Sequence, residues 1–338
     1  MADKVTEFGD LDMRTAVYAV RRMLPTAMFY NVTASFAQTD NLPRNKGDTL
    51  KFRRYEDLAV PDAPISEITE PEGQVPTFTD TEVTVETYGD KVVLTRKIQL
   101  MHEDPVFNTM LDKAAKQYGE TSQKVDFNAL KAGSNVFRAG AVAARTSIAT
   151  TVERNDLRRV IRSFRRDGAE SITKQIKSGP EQATEPVPAA FVAFTHSDMD
   201  QDIEDLQGFL PVHEYPPSAK PLQNEVGECA GIRFITTEKA PVWRAAGDTV
   251  AAGTFLVNGD SGAGSADVYP IIIIAANSWS HCPLSGKSAV KPIVVNPGKP
   301  NAISPMGLKG YIYWLAEMAS VITNEDWVAR LEVLCSVV

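Results

Sequence analysis

Four histidines, His102, His196, His213 and His281, and three cysteines, Cys229, Cys282 and Cys335, bound the proton-transfer and thiolate chemistry this chain could perform. Gly259-Asp260-Ser261-Gly262 has the residue types that surround an activated serine. That chemistry needs a histidine base oriented by a carboxylate, and none of the four histidines stands in a matching context. Gly286-Lys287-Ser288 has the ending of a phosphate-binding loop, but His281 occupies the place of the glycine that lets the backbone wrap the phosphates. Asp198, Asp200 and Asp202 open like a calcium loop whose turn glycine would fall at Ile203 and whose bidentate glutamate would fall at Phe209. Carboxylates favoured by the dipole at the start of a helix account for them better. His196 beside them is the best single metal-ligand candidate, although a histidine closing a strand before a helix cap is more often structural. No catalytic, cofactor-binding or metal residue is assigned, and no cofactor is expected.

The element expected to position everything else is a long helix over 104–137. Phe107, Met110, Leu111, Ala114, Tyr118, Val125, Ala129 and Leu130 recur at spacings of three, four or seven, while Lys113, Lys116, Gln117, Glu120, Gln123 and Lys124 fall between them and face water. Asp104 is placed to cap it, and Pro105 suits its first turn. Run through Gly119 and Gly133, such a helix is ~50 Å long at 1.5 Å per residue, a spine for something elongated.

Ahead of it, 12–36 carries a loose helical pattern broken at Pro25, an arm rather than a domain. In 45–100, the stretches 48–58, 82–88 and 91–100 read as strands, with Tyr88-Gly89-Asp90-Lys91 as a tight turn. Pro61, Pro64, Pro71 and Pro76 forbid helix and central strand between them. The result is a projecting ribbon with an extended tip. A two-stranded ribbon is marginal alone in water, so it is expected to lie against another chain.

After the spine, 178–188 reads as a linker. The apolar strands 189–195, 231–237 and 270–276, a helix from Ser197 with Ser197 and Asp200 spaced as a capping box, and a Gly/Ala/Ser-rich surface loop at 249–267 suggest an α+β domain over 187–302. Two strand-like runs, 308–322 and 327–338, are separated by the polar turn Thr323-Asn324-Glu325-Asp326. They are expected to return alongside the spine, making 187–302 an insertion.

The whole chain has 338 residues, 43% of them hydrophobic, enough for two or three cores. A net charge of −8 argues against a dedicated duplex-binding protein with a broad basic face. The scattered cysteines, with no CxxC pair, read as reduced and buried thiols. Nothing near the start has the apolar core of a secretory signal, and no stretch is apolar enough to span a membrane.

Charge is unevenly spread. Residues 55–90 hold ten acidic side chains, Glu67, Glu70 and Glu72 at the tip among them, and no lysine or arginine. Residues 138–177 hold ten basic side chains against four acidic ones. Within them 152–166 forms an amphipathic helix, with Leu157, Val160, Ile161 and Phe164 on the apolar face and Arg154, Arg158, Arg162 and Arg165 on the other. The plain reading of that face is solvation. The sharper one is contact with the acidic arm of another copy, or with nucleic acid phosphates.

This order of parts resembles the major capsid proteins of tailed bacteriophages with the Hong Kong 97 fold, most closely the branch typified by phage N-four. The resemblance rests on Lys46-Gly47-Asp48-Thr49-Leu50-Lys51-Phe52, Tyr88-Gly89-Asp90, Phe194-Thr195-His196-Ser197-Asp198, Gly227-Glu228-Cys229-Ala230-Gly231-Ile232-Arg233 and Gly307-Leu308-Lys309-Gly310-Tyr311, together with the spine. It implies an N-terminal arm at 1–45, an E-loop hairpin at 46–100, a P-domain at 101–186 and 303–338, and an A-domain at 187–302. It also implies structural work. Copies of the chain, as pentamers and hexamers, tile an icosahedral shell around packaged double-stranded DNA, with scaffolding, portal and decoration proteins as companions. Some members cross-link through a hairpin lysine. Residues 61–78 contain none, so no cross-link is expected there; Lys51 and Lys91 are left as candidates, with no signal supporting either. Competing readings are a virion tail or decoration component, and an enzyme built on His196, Asp198 and the glycine-rich loop.

Overall fold

The sequence Val268–Ile274 is apolar without alternation, and all seven residues are buried. A strand covered on both faces has that composition, and this one lies inside the larger of two sheets. The computed structural model describes residues 31–39, 47–60, 62, 73–101, 106–176, 184–216, 221–283, 290–295, 297 and 305–337. The expectations for 12–30, for most of the tip at 61–72 and for 286–288 lie outside the described residues, as do Asp104, Pro105 and His102.

In chain order, a single 3-10 turn at Thr33–Phe36 precedes β1 (Gln38–Thr39). β2 (Thr49–Tyr55) and β3 (Phe78–Thr84) pair antiparallel as the expected ribbon, and β4 (Glu86–Thr95) follows. A short helix, Arg96–Met101, leads to the spine helix, Val106–Leu130. β5 (Val136–Arg138) precedes an arginine-rich helix, Arg154–Arg166, and then β6 (Ile172–Ile176) and β7 (Thr184–His196). β8 (Leu210–Pro211), β9 (Glu225–Cys229) and β10 (Ile232–Thr237) come next. The short pair β11 (Thr249–Val250) and β12 (Gly264–Ser265) precedes β13 (Val268–Ile274). The chain closes with β14 (Trp279–Pro283), β15 (Val290–Val295), β16 (Lys309–Ile322) and β17 (Val328–Leu334).

The larger sheet has the order β5-β17-β13-β7-β10-β9-β8, with β6 paired to β7. The smaller is built on β16, which pairs with β4 along one edge and with β14 and β15 along the other; β1 adds to β14. Leu111, Ala114 and Ala115 of the spine pack on Ile312, Trp314, Ala316 and Met318 of β16. The arginine-rich helix packs under the larger sheet through the predicted stripe, all four residues of which are buried. A third cluster joins the sheets, with Phe36, Phe127, Phe194, Ile274 and Trp279 in contact. β17 and the arginine-rich helix thus pack with elements of 187–302, whereas β14 and β15, inside that range by sequence, pair with β16. Among the described residues no helix is long and apolar enough to cross a membrane.

Several local expectations are corrected. The spine holds 25 residues, about 38 Å. It stops at Leu130 because the chain turns at 131–133 and Val136–Arg138 is recruited as a strand beside β17. Tyr88 to Lys91 is no turn: β4 runs straight through it, and Gly89 lies opposite Leu315. A Cβ on Gly89 would sit 2.6 Å from Leu315 Cδ2 and 2.7 Å from the Trp314 carbonyl oxygen, so glycine marks a close approach here. The strand foreseen over 91–100 ends at Thr95, where the chain becomes helical.

The supposed linker at 178–188 contributes 184–188 to β7, in a hairpin with β6. The capping box at Ser197 is not formed; His196 Nδ1 instead accepts the Asp198 amide, 3.2 Å. The loop at 249–267 is tethered rather than free. Buried Asp267 accepts the amides of Ala245, Asn258 and Gly259 and a 2.5 Å hydrogen bond from Arg244. Of the two C-terminal runs, only the first lies along the spine.

Candidate assembly surfaces

The arginine-rich helix forms because its apolar residues recur at helical spacing and leave the guanidinium groups on the other side. Its arginines have different fates. Arg154 is half-buried against the loop at Gly208, where a Cβ would lie 2.9 Å from Arg154 Nη1. Arg159 donates to the Arg138 carbonyl at 2.8 Å and pairs with Asp156, 3.4 Å. Arg158, Arg162 and Arg165 are exposed and have no hydrogen bond or ion pair with any described residue. The structure therefore leaves three of the four predicted arginines as an open cationic row and turns the fourth inward.

The ribbon is held internally. Arg53 donates twice to Asp80, 2.8 and 2.9 Å, and its guanidinium lies 4.1 Å from the centre of the Phe78 ring. Lys51 meets Glu82 at 2.6 Å, and Glu56 accepts from Thr77 and Thr79. The hydrogen bond from Arg53 keeps the Asp80 carboxyl below its ordinary range. Exposed pairs of this kind hold register more than they stabilise. Tyr55, Leu58, Val60, Val75 and Phe78 are each more than half exposed. The ribbon stands off its own body across an open cleft of about 600 Å³, lined by Arg53, Arg54 and Tyr55 on one side and Asn324, Asp326 and Trp327 on the other. Glu67, Glu70 and Glu72 lie outside the described residues.

Three buried carboxylates, none of them singled out by sequence, tie the elements together. Asp126, on the spine, accepts from Thr33 Oγ1 at 2.7 Å, Ser320 Oγ at 2.5 Å and His281 Nδ1 at 2.8 Å. Glu332, on β17, receives Arg145 in bidentate fashion, 2.6 and 3.0 Å, with Arg330 at 3.0 Å and Arg138 at 3.4 Å. Glu225 receives Arg233, 2.6 and 2.8 Å, the Tyr215 hydroxyl and the Leu222 amide. Gln123, expected in water, is buried and donates to Thr237 Oγ1, 3.3 Å. The only sequence signal for these sites is a polar residue on an apolar helix face or strand.

The residues considered for chemistry are in structural use. Asp198 accepts the Tyr269 hydroxyl at 2.9 Å, and the His196 ring lies edge-on to Tyr269. Asp202 accepts the Ser336 amide at 2.9 Å. Burial first, and neighbouring carboxylates next, push the Cys335 thiol well above its usual range, and burial does the same at Cys229. All three cysteines are buried thiols outside any disulfide. Among the described residues no group of three or more His, Cys, Asp and Glu side chains is placed to hold a metal ion.

A family model described as phage capsid protein matches residues 78–329. No curated protein matches the sequence. The fold is similar to the capsid of Ralstonia phage GP4, with a TM-score of 0.64 at 11% identity, covering 89% of this chain and 87% of that one. It is similar to the head structure of Helicobacter pylori bacteriophage KHP40, with a TM-score of 0.58 at 10% identity, covering 92% and 91%. The Cyanophage Pam1 capsid matches over 99% of this chain and 100% of its own, with a TM-score of 0.56 at 16% identity. These matches fix the fold type and do not single out the N-four branch. With a family match over most of its length and this architecture, the chain belongs to the phage capsid protein family, a structural shell subunit of the Hong Kong 97-type fold.

Proposed function

We propose that copies of this chain assemble in the host cytoplasm as pentamers and hexamers and close into an icosahedral shell around double-stranded DNA, without turning over a substrate. The observation that carries this is the ribbon β2–β3 with the segments that continue it toward the tip, where Tyr55, Leu58, Val60, Val75 and Phe78 stand exposed beyond any core of their own chain. Exposed apolar surface on a marginal two-stranded element is stabilised by a neighbour that covers it. The division into arm 1–45, hairpin 46–100, P-domain 101–186 with 303–338, and A-domain 187–302 belongs to this proposal.

So does the contact between subunits. Glu67, Glu70 and Glu72 on the tip of one copy would face Arg154, Arg158, Arg162 and Arg165 of the next, and three of those arginines are exposed. DNA is expected to meet the shell lining through sequence-independent contacts, and scaffolding, portal and decoration proteins are expected companions. Sedimentation and electron micrographs of the purified protein test the core of the reading: capsomers or closed particles are expected, and a stable monomer overturns it. Arg158→Glu with Arg162→Glu is expected to weaken assembly most at low salt, where screening is least. Unchanged assembly removes the charge pairing while leaving the shell reading intact.

A further inference from the structure

Residues 31–39 meet the body through several polar contacts, and the most deeply buried of them is at Asp126. Thr33 is fully buried and donates to one oxygen of Asp126, while His281 and Ser320 converge on the other. Asn31 donates to Ser122 Oγ, one turn earlier on the same helix, at 2.7 Å. On the far side, Gln38 and Thr39 pair in parallel with Ser280 and His281, and Ser280 Oγ donates to the Gln38 carbonyl, 2.8 Å. One fully buried carboxylate thus receives donors from the arm segment, from β14 and from β16, while belonging itself to the spine. We infer that the Asp126–His281 pair is a proton-dependent latch that sets how firmly residues 31–39 are held to the spine and the smaller sheet.

A buried carboxylate is stable only while its partners compensate its charge. Protonated, His281 supplies a full positive charge as well as a hydrogen bond. Neutral, it supplies at most the hydrogen bond. Burial alone would lower the affinity of His281 for its proton, but the charge of Asp126 and the bond to it outweigh burial, and the proton is held above the ordinary histidine value. The added stability is therefore complete below about pH 6.5 and is lost as pH rises through the elevated value. Few other groups titrate beside the pair. The spine offers Tyr118, pushed up to about 12 chiefly by burial and then by Asp126; β14 offers Cys282; β16 offers only the Ser320 hydroxyl; described residues 31–39 carry no charge. Phe36, packed on Phe194 with ring centres 5.9 Å apart, keeps the segment seated when the latch weakens. The transition is thus a loosening rather than an unfolding.

The test is amide hydrogen exchange on the full-length chain from pH 6 to 9, corrected for intrinsic rates, with the arginine-rich helix as internal reference. Protection of 31–39 should fall on the order of tenfold across the titration of His281, with the reference unchanged. His281→Gln should show low protection and no step, and Asp126→Asn should also abolish the step. A step that survives in His281→Gln, flat wild-type protection, or a parallel fall in the reference helix each overturns the latch. Should the variants not fold, titration of the His281 ring by NMR in the wild type decides the matter. A proton lost at or below the ordinary histidine value overturns it.

Discussion

Replacing Glu332 with glutamine removes the one negative charge on which Arg138, Arg145 and Arg330 converge, while keeping the side chain's size. The carboxylate is fully buried, whereas the side chains of Arg138, Arg145 and Arg330 are 26%, 30% and 12% exposed. The first two can turn toward water, so losing their partner costs about 0–1 kcal/mol each. Arg330, the least exposed of the three, cannot, because it also donates to the Lys131 carbonyl. Removing one partner of a buried pair costs about 3–5 kcal/mol, and Arg330 sets the effect within that range. At about 2–4 °C per kcal/mol, the unfolding midpoint of the unassembled subunit should drop by roughly 6–20 °C at pH 7. The arginines, Arg145 first, hold the Glu332 carboxyl below its ordinary value despite burial. The wild-type advantage is therefore present above about pH 4.5 and vanishes as pH falls through the depressed value. Calorimetry of both proteins at pH 7 and at successively lower pH is the assay. A difference below about 1 kcal/mol at pH 7, or one that does not shrink in acid, refutes the reasoning.

Other changes probe separate contacts. Gly89→Val forces a side chain into the Trp314 carbonyl and should lower the urea midpoint by the equivalent of about 1–3 kcal/mol. Phe164→Ala empties the space beside Phe191 under the larger sheet and should cost about 3–5 kcal/mol in equilibrium unfolding. Arg233→Met leaves Glu225 buried without its main partner and should cost about 3–5 kcal/mol, with part recovered when Glu225→Gln is added in a double-mutant cycle. Cys229, Cys282 and Cys335 should resist an aqueous thiol reagent in the native subunit and react together in denaturant.

The helix at 154–166 was legible because one face of it is apolar and the opposite face arginine, so period and burial agree. The spine was legible for the same reason, but only over the residues whose stripe meets β16. Past Leu130 the apolar spacing continues into Val136 and Phe137, which are apolar because they enter a sheet. Tyr88-Gly89-Asp90-Lys91 has the composition of a turn. Its glycine is required instead by a neighbouring strand distant in sequence, and no local pattern carries that information. Asp126, Glu225 and Glu332 were invisible for a related reason. Each has at least one partner between 8 and nearly 200 residues away, and taken singly each reads as an ordinary solvent-facing acid. The arginine row, by contrast, could be read as exposed because nothing near it in sequence could have covered it.

β16 and β17 are interior strands of different sheets, and both follow every other described strand in the chain. On the ribosome, neither sheet can close until the segment 309–334 has emerged. A half-made subunit holds β4, β13 and β14 with open sides. Synthesis therefore acts as a timer on assembly, and translation interrupted shortly before residue 309 yields a chain that can complete neither half.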